Sequence, residues 1–396
     1  MLTGDNQTTG NWNYPTKVVF GAGKIKQLVE QCTELGINKP LLVTDQGLVK
    51  LPMVDEVVQL FSEAGIPLSL YSTIKPNPTG ENIEQGVKVF EAGNHDGVIA
   101  FGGGSALDAG KAIALMIGQT LDIWDFEDVG DNWTHVNTDN LIPVIAIPTT
   151  AGTGSEVGRA SVIHDVQAEK KKIIFHPSMM PVCVIADPNL TVGLNANITA
   201  ATGMDALSHN LEAYCSPGFH PMADGIALQA ISMIQRSLPE VVADGKNIDA
   251  RSEMLAASLM GATAFQKGLG AMHAMAHPLG AVYDAHHGLL NAILMPYVLK
   301  YNESTIVDKM HVLATKLELS NPSFDSVLDW VLALREKIGI PNKLSDIKID
   351  DERLKVIAEM AEMDPSSSGN PRPMDRKDYE AVLSNAINGN LHPNVA

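Results

Sequence analysis

Four of the chain's twelve histidines fall within one short stretch, GAMHAMAHPLGAVYDAHHG: His273, His277, His286 and His287. Upstream, GMDALSHNLEAY carries Asp205 and His209. Asp205 and His209 are four residues apart, as are His273 and His277. In a helix that spacing puts both side chains of a pair on one face, one turn apart. Imidazoles and a carboxylate presented by two facing helices can close around one divalent cation, and Fe2+, Zn2+, Co2+ and Ni2+ all accept such donors. An ion held with one position open polarises a substrate oxygen and lowers the pKa of a bound alcohol or water. An isolated D-x-x-x-H is more often a surface or core pair than a metal site. The histidine-dense stretch downstream is what strengthens the metal reading. Spacing leaves open which of His286 and His287 faces the ion, and Pro278 could bend the helix carrying His273 and His277.

Two glycine-rich turns offer a different chemistry. Gly102-Gly103-Gly104-Ser105 follows the apolar run Gly97–Phe101 and precedes a helical pattern over Ala106–Ile117. Glycines let backbone approach a ligand closely, and the helix N-terminus beyond them presents N–H groups and a positive dipole end to an anion. The motif is not a P-loop, because Ser105 stands where that pattern needs its first glycine and Ala112 where it needs Ser or Thr. It is not G-x-G-x-x-G either, because Leu107 stands at the third glycine. The second turn, Thr149 to Glu156 (TTAGTGSE), follows the run Pro143–Pro148. Two such turns at the ends of neighbouring parallel strands would line one nucleotide crevice. Asp45 closes the run Lys39–Asp45, where a carboxylate can accept hydrogen bonds from a ribose diol and repel a 2′-phosphate.

The elements needed to position these residues can be read from the pattern. Lys39–Asp45, Gly97–Phe101, Pro143–Pro148 and Val182–Asp187 are apolar runs with helical stretches between them, the signature of a parallel sheet covered on both faces. After about residue 190 the alternation stops. Helical patterns then follow over 197–215, 222–238, 250–267, 287–301, 303–318, 323–338 and 351–362. The expected organisation is a Rossmann-like α/β domain over 1–190 and an all-α domain over 191–396, with the boundary at DPNLT.

The chain's 396 residues suffice for two cores. Its 46 acidic and 28 basic side chains give a net charge of −18, which argues against nucleic-acid and anionic-membrane partners. No apolar run approaches the ~20 residues of a membrane helix. The polar opening MLTGDNQTTGNWNYP has no signal-like pattern, and the three cysteines form no C-x-x-C pair, so a reducing cytoplasm is expected.

Together these stretches resemble the iron-containing (group III) alcohol dehydrogenases. The resemblance runs from YPTKVVFGAGKI to LMPYVLKYN and beyond, and is most specific in GGGSALDAGKAIA, IPTTAGTGSEV, ATGMDALSHNLEAY and HAMAHPLGAVYDAHHGLLNAILMPYV. It implies the family fold shared with dehydroquinate synthase: a dinucleotide-binding α/β domain, a helical metal-binding domain and an active site in the cleft between them. The implied metal ligands are Asp205, His209, His273 and His287, with His287 preferred to His286. The implied ion is Fe2+, with Zn2+ as the alternative. The resemblance places His277 beside nicotinamide and substrate. On the coenzyme side it implies Asp45, Asn77, Gly103, Gly104, Ser105, Asp108, Thr149, Thr150, Thr153 and Lys171, with NAD favoured over NADP through Asp45. Lys170 and Lys172 flank Lys171 and blur that assignment. Family members are commonly homodimers or larger.

The expected function is therefore an NAD-linked, metal-dependent oxidoreductase that interconverts a small primary or secondary alcohol, or a diol, with its aldehyde or ketone. His277, the site histidine not needed as a ligand, is the expected proton relay. The alternative is an NAD- and metal-dependent lyase or cyclase of the dehydroquinate synthase type. Such an enzyme should carry basic residues for an acidic substrate, and none lies between His273 and His287.

Overall fold

The computed structural model describes residues 14–139, 141–168 and 170–391. They form two compact units. One is Pro15–Gly193; the other begins at Leu194 and also includes Tyr14.

The first unit runs β1 (Lys17–Phe20), α1 (Leu28–Glu34), β2 (Pro40–Asp45), α2 (Pro52–Glu63), β3 (Ser69–Ile74), α3 (Gly80–Gly93), β4 (Gly97–Gly102), α4 (Gly104–Met116), β5 (Val144–Pro148), β6 (Ala160–Asp165), β7 (Lys170–Phe175) and β8 (Cys183–Ala186). Six strands make one parallel sheet in the order β1-β8-β5-β4-β2-β3. The four inner strands, β2, β4, β5 and β8, are buried along almost their whole length, which is why they read as apolar runs. The edge strands β1, with no buried residue, and β3, with two, carry no long buried run, so the sequence does not announce them. Leu42, Ile99, Phe101, Ile145 and Ile147 face a core closed by Leu28, Cys32, Val57 and Phe61 from α1 and α2. The intervening Val98 and Ala100 of β4 face α4, which packs so tightly that Gly110 lies against Ala100. β6 and β7 form a separate antiparallel hairpin.

The second unit is helical, with no strand among its described residues: α5 (Ala196–Cys215), α6 (Pro221–Ala243), α7 (Ile248–Ala264), α8 (Ala271–Tyr283), α9 (His287–Lys316), α10 (Phe324–Lys337), α11 (Leu354–Glu362) and α12 (Arg376–Asn388). Every residue of α5 from Thr199 to Cys215 is buried, and α6, α7 and α9 pack around it. Such a helix shows no amphipathic stripe, because no face of it meets water.

Three details depart from the sequence reading. The turn Pro188–Thr191 stays with the α/β unit, because Asp187 accepts hydrogen bonds from Gly23 N (3.1 Å) and Ile25 N (3.0 Å) and Leu190 packs into the sheet core. The unit therefore ends at Gly193 rather than 190. The two helices read over 287–301 and 303–318 are one helix, α9, which passes through the buried Pro296. The helix expected around His273 and His277 is α8, which continues through Pro278 to Tyr283, whereas α12 lies outside the helical pattern: it is polar and starts from an Asp375–Asp378 capping box. No described helix is long and apolar enough to cross a membrane.

Candidate metal centre and coenzyme turns

Asp205 and His209 sit one turn apart on α5, His273 and His277 one turn apart on α8, and His287 is the first residue of α9. His286 instead caps α9, its Nδ1 accepting from Leu289 N (3.4 Å), and is exposed. The closeness of α9 to α5 depends on Gly288. A Cβ there would lie 2.4 Å from the Ala201 carbonyl oxygen and 2.9 Å from Asp205 Cβ. That contact brings His287 Nε2 to 3.7 Å from Asp205 Oδ1.

One ligand atom each from Asp205, His273 and His287 lies within 4.8 Å of the others. The His209 ring stacks on His273, with centroids 4.7 Å apart and planes 18° apart. Asn291, one turn after His287, projects its amide nitrogen into the same place: 3.0 Å from Asp205 Oδ1, 3.2 Å from His273 Nε2 and 3.1 Å from His287 Nε2. With both imidazoles presenting their Nε2 lone pairs, as ligation requires, that nitrogen has only two hydrogens for three acceptors. Lone pairs therefore outnumber donors at one buried point, while Asn291 Oδ1 finds no hydrogen-bond partner. A divalent cation answers that imbalance, so the donor set fits a metal.

The surroundings fix the donors in place. Glu212, on the α5 face of Asp205 and His209, accepts from Met272 N (2.7 Å) and pairs with His273 Nδ1 (2.6 Å). A carboxylate only accepts, so Nδ1 carries the proton and the Nε2 lone pair points to the other ligands. Burial works against a charged His273, yet Glu212 outweighs it and holds the ring above the usual imidazole range. Burial likewise pushes the Asp205 carboxyl up. His209, His287, His273 and the Asn291 amide prevail, holding it at about 2. Asp205 is thus an anion across the physiological range.

His277 stacks against His287 at 5.4 Å with nearly parallel planes, so it borders the cluster. Its Nδ1 pairs with Asp364 Oδ2 (2.8 Å), and Asp364 Oδ1 accepts from Ser366 N (2.8 Å). Burial raises the Asp364 carboxyl, but His277 and Ser366 hold it below the ordinary value. The resulting carboxylate fixes the Nδ1–H tautomer and leaves Nε2 available to accept a proton.

In the α/β unit, α4 begins at Gly104 with Gly103 as its N-cap, and no side chain caps it. The two glycine-rich turns touch there. Thr149 N donates to the Gly102 carbonyl (3.0 Å), and a Cβ on Gly104 would lie 2.8 Å from Thr153 Cγ2. Thr150 packs beside Gly103. The Ser105 hydroxyl donates to the Pro76 carbonyl, which brings the half-buried Asn77 loop to the same helix end. Asp45 closes β2, next to β4, and its Oδ1 accepts from Gly47 N and Leu48 N (both 2.8 Å). Lys171 lies on β7 opposite His164, whose N donates to the Pro78 carbonyl (2.7 Å). Asp108 is one turn into α4. Both of its carboxylate oxygens serve protein groups, Ser155 Oγ (2.5 Å) and Val162 N (3.0 Å).

Sequence reasoning passed over Glu212, Asn291 and Asp364. Two of them carried a signal: Glu212 is three residues after His209, and Asn291 four after His287, both on ligand faces. Asp364, from a distant turn, carried none.

Residues 15–188 match the family profile described as iron-containing alcohol dehydrogenase, and residues 199–387 match that of the Fe-containing alcohol dehydrogenase family, C-terminal. The chain is 37% identical to a 1,3-propanediol dehydrogenase of Klebsiella pneumoniae over 94% of its own length and 97% of the relative's. It is 33% identical to an NAD-dependent methanol dehydrogenase of Bacillus methanolicus, covering 95% and 100% of the two chains. A crystal structure of a 1,3-propanediol oxidoreductase superposes with a TM-score of 0.91 at 36% identity, covering 95% of this chain and 99% of that one.

Proposed function

The chain belongs to the iron-containing alcohol dehydrogenase family, and on that premise we propose that it interconverts a short primary alcohol or diol and its aldehyde, using NAD and one Fe2+ held by Asp205, His209, His273 and His287. It is an NAD-linked, metal-dependent oxidoreductase, and the lyase or cyclase alternative is not favoured. The observation that carries the metal assignment is the convergence of Asp205 Oδ1, His273 Nε2 and His287 Nε2 on one point. When bound, the ion supplies Lewis acidity at the substrate oxygen and the nicotinamide exchanges the hydride.

The chain's own groups do the rest. Glu212 keeps the His273 Nε2 lone pair directed at the ion. His277 accepts the hydroxyl proton at Nε2 during oxidation and returns it during reduction, its Nδ1 fixed by Asp364. The uncapped N-terminus of α4 binds the pyrophosphate, and Asp45 takes the ribose diol, which favours NAD over NADP. Asn77, Thr149, Thr150, Thr153 and Lys171 complete the coenzyme contacts.

An uncharged substrate suits a stretch from His273 to His287 with no basic residue. Relatives named for 1,3-propanediol and methanol share a small primary hydroxyl. Iron rather than zinc follows from the family's character. Intrinsic affinity of such donors favours zinc, so supply decides occupancy. The working form is a homodimer or larger, in the cytoplasm, where the three unpaired, buried cysteines stay reduced. A panel of C1–C4 alcohols, diols and hydroxyacids, assayed with NAD and with NADP after loading with Fe2+ or Zn2+, tests this reading. Preference for a hydroxyacid, for NADP or for zinc would overturn the corresponding part.

A further inference from the structure

The α/β unit contains a buried ion pair that the chemistry above does not use. Lys111, on α4, is 1% exposed. Its ammonium donates to the carbonyls of Ser155 (2.9 Å) and Ala160 and lies 3.3 Å from Asp108 Oδ1. Asp108, one turn earlier on the same helix face, accepts from Ser155 Oγ and Val162 N, and its main-chain carbonyl accepts from Ser161 Oγ (2.8 Å). Every one of these partners outside α4 lies in Ser155–Val162, which runs from the short helical turn after Gly154 into the first three residues of β6.

Removing an ammonium and a carboxylate from water costs several kcal/mol per ion, and an apolar pair of similar volume is often no less stable. Burial alone therefore gives no reason for Lys111 and Asp108. What they do that leucines cannot is hold two carbonyls, one amide and one hydroxyl of the Ser155–Val162 stretch to a helix. That helix carries the Gly103–Ser105 turn at its N-terminus, and the stretch directly follows the Thr149–Gly154 turn.

We propose that Lys111 and Asp108 are positioning residues for the dinucleotide: they fix the spacing of the two turns without touching the coenzyme. Asp108 is thereby assigned to support of the second turn rather than to coenzyme contact. The inference rests on the NAD reading above.

Its test is an NADH fluorescence titration of the full chain, alongside steady-state kinetics. Lys111→Met should weaken NADH binding about tenfold and raise KM for NAD similarly. It should leave metal content unchanged and kcat within about twofold. Ser155→Ala, which deletes one hydroxyl and should fold whatever the fate of Lys111→Met, should weaken NADH binding about threefold. Unchanged NADH affinity in a folded Lys111→Met, or in Ser155→Ala where Lys111→Met does not fold, overturns the positioning role and leaves the NAD reading standing. A kcat that falls in step with affinity also overturns it. A parent chain that does not bind NADH overturns the NAD reading itself, and this inference with it.

Discussion

In the candidate metal cluster, Glu212 directs His273 and the Asn291 amide holds Asp205. Glu212 is the clearest case: Glu212→Gln keeps the shape but weakens the hold on His273 Nδ1. Metal affinity should fall about 10–100-fold, read by titration of the metal-free protein; unchanged affinity would show that Glu212 does not direct the ligand. His277→Ala should lower kcat by about a hundredfold or more with bound metal unchanged, whereas loss of metal would make His277 a ligand. Glu156 makes a separate prediction. Burial pushes its carboxyl up to about 7, with Lys111 opposing, and its Oε1 has no hydrogen-bond partner. The folded chain keeps this proton at pH values where the unfolded chain has released it. The group's contribution is complete below the unfolded value and is lost as pH rises through about 7, a change on the order of 3 kcal/mol. Glu156→Gln should therefore melt hotter than the parent at about pH 8 and nearly equally at about pH 5; a constant difference in Tm would sink the assignment. Residue types and spacing single out Asp205, His209, His273 and His277 as candidates, and the structure groups ligand atoms of Asp205, His273 and His287. The choice between His286 and His287 was not local, because it depends on where the chain enters α9.

At the scale of elements, the contact of α9 with α5 decides whether the cluster exists. Gly288→Ala would drive a methyl against the Ala201 carbonyl, which as backbone cannot easily move. The helices must part, His287 leaves Asp205, and metal affinity should drop at least about tenfold with little change in NADH binding. A variant that binds metal like the parent would show that this close approach is not needed. The same physics explains which elements were legible. Inner strands are buried on both faces and write continuous apolar runs, as in β4 and β5. The edge strands β1 and β3 share their surface with water and lose that signature. The helical pattern breaks at Asn302, yet that residue is buried against the neighbouring helices and α9 continues through it to Lys316.

For the molecule as a whole, the switch from alternating elements to helices marked the two units, because a parallel sheet and a helical bundle bury apolar surface with different periods. The two binding tasks divide the same way. All proposed metal ligands lie in the helical unit and all proposed coenzyme contacts in Pro15–Gly193. Removing the metal with a chelator should therefore abolish turnover but leave NADH binding within about twofold; loss of both together would contradict that division. The most direct measurement of the central claim pairs metal stoichiometry with turnover in the parent chain and in Asp205→Ala and His273→Ala. Loaded anaerobically with Fe2+, the parent should hold one ion per chain and reduce NAD with a short primary alcohol, followed in the near ultraviolet, and both variants should lose ion and activity together. A parent that reduces NAD without a bound ion, or variants that keep the ion, would contradict it.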